Sequence, residues 1–285
     1  MEKDSTGREE ISKLARDKLG LPIKRLERSR ESLEKGQTLD IALKNLPATL
    51  RSDYDHAMRS APQLVSTETS PLKFFSASGN LAASAANRIA EYWKYRKTLF
   101  GDASHKPLTS TGYGALNEQD IEVFDSGFFV ELPADSDGRR VVCYDRSRLE
   151  GDFDDINTLL DSMLRCAFYV LSVVAEEEEA QTKGVLLLEI NQNSFEPLPI
   201  DEPFRRELDR LIQTALPIVK AHNHIIFKFP RVGQREFVAA NYSVAVKSIK
   251  KTLPDASYTL YSGTPKDQLC KILQRKGFLK EGLPS

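Results

Sequence analysis

The residues able to do chemistry in this chain are few, and their spacing assembles no familiar centre. Four histidines occur, His56, His105, His222 and His224. His222-x-His224 puts two imidazoles at the start of an expected strand, where both fall on one side, but a zinc site needs further ligands and the chain offers none at fitting spacing. Cys143, Cys166 and Cys270 are odd in number, widely spaced and set among apolar residues, which reads as reduced core thiols. Gly112-x-Gly114 follows no strand and lacks the remaining glycine and the Lys-Ser/Thr pair of a phosphate-binding loop. No Gly-x-Ser-x-Gly elbow is present, and the acids between 117 and 161 fall in turns and helix starts without a paired acid and base. These readings point away from an enzyme, a metal site and any cofactor. Basic residues are not interleaved with aromatics in a block, so nucleic acid is not an expected partner.

With 285 residues the chain is long enough to bury a large core. No apolar run approaches bilayer length, and Met-Glu-Lys-Asp-Ser-Thr-Gly-Arg at the N-terminus has no apolar signal core, so a cytoplasmic location is expected. The formal net charge is −1, yet the first and last thirds are basic and the middle third is acidic. A basic C-terminal third suits an anionic surface; ordinary solvated lysines are the alternative.

The element around which the rest is arranged is Gly184-Val-Leu-Leu-Leu-Glu-Ile-Asn191, a short apolar run. Such a run without polar alternation is the pattern of a strand buried on both faces. The alternative, a piece of buried helix, is limited in length by Gly184 and the Asn191–Ser194 turn. Helical patterns over 154–181 and 202–215 flank it, and a second apolar run, Ile225–Phe229, follows, which predicts a parallel crossover. Phe128–Leu132 and Arg140–Tyr144 read as a hairpin closed at Asp137-Gly138, and 256–261 as a last strand. Upstream, Thr38 is expected to cap 39–46, helices to cover 48–60 and 81–99, Asn80 to cap the latter, and Asn117 to cap 118–125. Trp93 reads as a core anchor. The fold class expected is α/β: a mixed, mostly parallel sheet covered by helices, preceded by an all-helical N-terminal region.

The order of these pieces resembles the CRAL-TRIO lipid-binding family over residues 65–285. Leu72–Ala77 followed by Ala86–Arg96 is similar to the family's N-terminal helical part, Asp135-Ser-Asp-Gly-Arg-Arg-Val-Val142 to its hairpin, Gly184–Asn191 to its central strand, Ile225–Pro230 to the strand before its gate helix, and Lys276–Pro284 to its closing segment. The resemblance divides the chain into a helical extension over 1–64, a helical part over 65–100 and a lipid-binding domain over 101–285. It implies a lipid cavity closed by an amphipathic gate helix at 236–252, a lipid ligand, a transient membrane partner, and binding or transfer without catalysis; an interaction module of the same fold is the alternative. By resemblance and alternation Leu186 and Leu188 face the ligand, with Val142 and Tyr144. Phe168 and Leu171 of the covering helix and Ile226 and Phe227 of the next strand join them. Phe237, Val238, Tyr242, Ala245 and Ile249 form the gate's apolar band, and Lys247, Lys250 and Lys251 meet the membrane. The family's charged residues for an inositol headgroup are replaced, with Ser76, Ile218 and Tyr258 at the aligned places, so the resemblance does not imply phosphatidylinositol as the ligand.

Overall fold

The computed structural model describes residues 34–135, 137–145, 148–149, 155–192, 201–229 and 257–262, with only the backbone described at 190–192, 201, 221–229 and 257–262. The helical region opens with α1 (34–45) and α2 (Ala48–Ser60). α1 runs through Gly36 and Thr38, so Thr38 caps nothing; its hydroxyl donates instead to the Glu34 carbonyl at 2.8 Å inside the helix. α3 (Pro62–Glu68) and α4 (Pro71–Ala77) each start on a proline, whose missing N–H is no loss in a first turn. Asn80 does not cap the next helix. It sits in the left-handed region with φ 61°, and its N–H closes the end of α4 on the Phe75 carbonyl at 2.8 Å. α5 (Ala82–Phe100) then presents Ala85, Ile89 and Trp93 to the core, as the spacing predicts, while Leu81 stays exposed.

One turn beyond Trp93, Arg96 is fully buried. Its Nε donates to the Ser104 carbonyl at 2.6 Å, its Nη1 pairs with Glu68 at 2.7 Å, and its guanidinium lies 5.4 Å from the Trp93 ring centroid. The arginine thus ties α3 to the loop after α5 while keeping its charge paired, which burial demands. Asn117 caps α6 (Glu118–Asp125) in a capping box with Asp120, as its position predicts. The same Asp120 carboxylate accepts from Arg165 Nε at 2.8 and 2.9 Å.

The hairpin forms as expected: β1 (Phe129–Leu132) pairs antiparallel with β2 (Arg140–Asp145). Asp135 organises its loop. The buried carboxylate accepts the Asp137 and Arg139 backbone N–H groups at 3.0 and 2.8 Å and the Arg139 Nε at 2.7 Å, and Gly138 supplies φ 76°. Arg139 of the Asp-x-x-Gly-Arg run is therefore a fastening for the turn.

The single helix expected over 154–181 is two. α7 (Ile156–Val174) stops at Ala175, and α8 (Glu178–Thr182) restarts after Glu177. A continuous helix would hold four acids near its negative C-terminal end; the break puts Glu178 and Glu179 in a first turn, where the dipole favours them. By length and composition α7 is apolar enough to cross a membrane. Here Met163, Ala167, Phe168 and Leu171 are fully buried, and the helix packs on α5, α6, α9 and β1, as a core helix does.

β3 (Val185–Gln192), α9 (Asp201–Thr214), β4 (Lys220–Phe229) and β5 (Ser257–Ser262) complete the described chain. The five strands lie in the order β1-β2-β3-β4-β5; β2 to β5 are parallel and β1 is the antiparallel edge. Each parallel step from β2 to β4 is spanned by helix, α7 with α8 and then α9, as parallel pairing requires. Arg88 of α5 reaches the end of α9, where its Nη1 donates to the carbonyls of Ile212 at 3.1 Å, Leu216, and Ile218 at 3.3 Å.

Candidate functional site

Register sorts the sheet residues. Side chains alternate across a strand, and residues paired between neighbouring strands share a face. Val142 pairs with Leu187 and Tyr144 with Glu189, whereas Val141 pairs with Leu186 and Cys143 with Leu188. Leu186 and Leu188 therefore do not share a face with Val142 and Tyr144, and the four expected ligand-facing residues divide into two pairs.

The first face is covered by helices. The Tyr144 ring stands 5.8 Å from Phe204 of α9 and 5.7 Å from Phe129 of β1, edge-on and tilted respectively. Its hydroxyl donates to Glu189 Oε2 at 2.8 Å. Arg205 of α9 brings its Nε to the same carboxylate at 2.8 and 3.1 Å and adds a contact from Nη2. Glu189 is 1 % exposed and Arg205 6 %, so the ion pair is desolvated and held by geometry. Val142, Val185 and Leu187 join the large apolar cluster around it. Phe168 and Leu171 are also inside that cluster: the Phe168 ring lies 5.0 Å from Tyr92 and 5.6 Å from Phe100. These side chains are packed against protein, as core groups are.

The second face carries Val141, Cys143, Leu186 and Leu188. Three are fully buried and Cys143 is 7 % exposed, yet none belongs to the helix-side cluster. The face contains no carboxylate or guanidinium at these positions, and its one polarisable atom is inert. Burial pushes the Cys143 thiol up to about 12, with Asp145 acting in the same direction, so it stays protonated at neutral pH. Cys166, on α7, is likewise pushed to about 12, mainly by burial. On the neighbouring strand His222 and His224 take the ladder positions beside Leu186 and Leu188, and Ile226 and Phe227 those beside Ile190 and Asn191. Phe237, Val238, Tyr242, Ala245, Lys247, Ile249, Lys250 and Lys251 lie outside the described residues, as does Cys270.

Among the described residues no group of three or more His, Cys, Asp or Glu is placed to hold a metal ion. His56 and His105 meet with ring centroids 5.0 Å apart, an interhelical contact no sequence spacing announces. Sequence reading also missed the Tyr144–Glu189–Arg205 group. The one available signal was the acid inside an otherwise apolar strand, since a buried carboxylate requires a partner. No protein-family model matches the chain, and no curated protein matches it.

Proposed function

We propose that this chain binds a hydrophobic lipid against the Val141, Cys143, Leu186 and Leu188 face of the sheet and carries or presents it at membranes, in the manner of the CRAL-TRIO family it resembles. The observation that carries this reading is the buried patch Val141, Cys143, Leu186 and Leu188, which stands apart from the helix-side core and is bordered on the next strand by the ladder positions of His222 and His224. A floor of this kind needs no covalent chemistry, because burying apolar ligand surface is worth about 25 cal/mol per Å². The mixed sheet with one antiparallel edge also fits the architecture that the resemblance implies. In this reading residues 236–252 form the gate, and Lys247, Lys250 and Lys251 meet anionic headgroups from the cytoplasmic side. Ile218, at one of the aligned headgroup positions, is buried and apolar, which favours a ligand other than phosphatidylinositol.

The test is mass spectrometry of an organic extract of the purified full-length protein, with Leu186→Arg as the paired variant. A stoichiometric lipid in the parent, absent from a folded Leu186→Arg protein, is the expected result, because an unpaired charge on the floor is costly. Full lipid retention by a well-folded variant removes Leu186 from the site. An extract free of lipid favours an interaction module.

A further inference from the structure

On the helical side of the molecule a cleft of about 290 Å³ opens between α3, α4 and the C-terminal end of α7. Leu64, Leu108, Tyr169, Val173 and Pro217 supply its apolar wall. Two charges stand in it as a pair: Lys73 Nζ of α4 lies 2.6 Å from Glu176 Oε1, at the turn between α7 and α8. The partners are not equivalent. The Lys73 side chain is 11 % exposed and that of Glu176 62 %. The cation is held within the wall and the anion reaches it from solvent.

We propose that this cleft binds a small amphipathic monocarboxylate, whose head group takes the place of Glu176 on Lys73 and whose apolar body lies along Leu64, Tyr169 and Val173. The exchange is easy on the protein's side, because Glu176 returns to water in which it is already largely immersed. The ligand gains a charge-assisted hydrogen bond to a desolvated ammonium. An amine ligand has no such opening: to use Glu176 it must strip the counter-ion from a nearly buried lysine. Glu68 lines the same cleft but is committed, accepting from Tyr92 Oη at 2.8 Å and from Arg96 at 2.7 Å. Its charge, with Glu178 in the adjoining groove that shares Lys73, sets the limit at one negative charge on the ligand. The volume limits the body to a short chain or a single ring.

Calorimetric titration of the full-length protein with octanoate, octan-1-ol, octylamine and octyl phosphate tests this. Octanoate is expected to bind about tenfold tighter than octanol, the equivalent of one charge-assisted hydrogen bond, with octylamine weakest. Lys73→Met should lower octanoate affinity about tenfold and leave octanol within about twofold. Glu176→Gln should raise octanoate affinity severalfold, because the competing carboxylate is gone. Val173→Glu, at a position already half exposed, should weaken octanoate without unfolding the protein. Equal binding of octanoate and octanol overturns the proposal, as does a Glu176→Gln protein that binds octanoate less tightly. Octyl phosphate binding tighter than octanoate overturns the monocarboxylate class. Octanoate affinity unchanged in both the Lys73 and Glu176 variants places the ligand elsewhere and rejects the cleft, whatever the fate of the lipid reading.

Discussion

On its helix side β3 presents Val185, Leu187 and Glu189; on the other side it presents Leu186 and Leu188. Both sets are buried to nearly the same extent. The helix side is fastened by directional groups, Tyr144 and Arg205 meeting one carboxylate, so α9 has a single place to sit. The opposite side has no such fastening at Val141, Cys143, Leu186 and Leu188, which offer shape and apolar surface. Burial is therefore a poor guide to role. A carboxylate in the core fixes one arrangement of protein against protein, whereas a plain apolar face accepts any partner of suitable form, a flexible lipid included.

The comparison breaks most visibly at the ion pair. Arg205→Met removes the guanidinium from a buried carboxylate and should cost about 3–5 kcal/mol in urea denaturation, while the double variant with Glu189→Leu should recover most of it. A single variant that costs less than about 1 kcal/mol would mean that α9 is held by apolar packing alone. Leu187→Ala and Leu188→Ala sharpen the contrast at adjacent residues. The first opens a hole in a close-packed core and should cost toward the upper end of about 2–5 kcal/mol. On the proposed reading the second faces a lipid, and its cost should then fall at the lower end and depend on whether lipid was stripped beforehand. Equal costs that ignore lipid would make the two faces the same kind of core.

The smallest effect lies at Glu68, where burial holds the carboxyl above its usual range against the opposing pull of Arg96 and Tyr92. The folded state then binds that proton more tightly than the unfolded chain does. Stability linked to Glu68 is full below the unfolded value of about 4.3 and declines as pH rises through the folded value. Parent stability minus that of Glu68→Gln should therefore fall as pH rises above about 4.3; a difference that rises with pH would mean that Arg96 outweighs burial.

What the sequence carried well was local. Asn117, Asp137-Gly138 and Gly184 each act within a few residues, and each stands where its backbone preference put it. The alternation of β3 was also readable, since a short apolar run implies burial on both faces. What it did not carry was the phase of one strand relative to the next. Slipping a strand by one residue exchanges its faces. The phase of β2 against β3 is set by pairing across an intervening helix, so Val142 and Leu186 looked like companions. The same limit hid the tertiary ion pairs: Glu189 and Arg205 are 16 positions apart, and Lys73 and Glu176 are 103 apart. Neither spacing has a period that a one-dimensional pattern can show.

Arg88 sets how the molecule comes apart. Its guanidinium, whose pKa is lowered by burial, collects carbonyls 124 to 130 positions downstream. No local folding event can make these contacts, so they are expected to form only when α5 and the entry to β4 come together. The expected consequence is that the helical part before residue 100 and the sheet after it unfold together. A fragment that begins after α5 leaves the end of α9 without that donor, and hydrogen exchange at the amides of α5 should slow in step with those of β3.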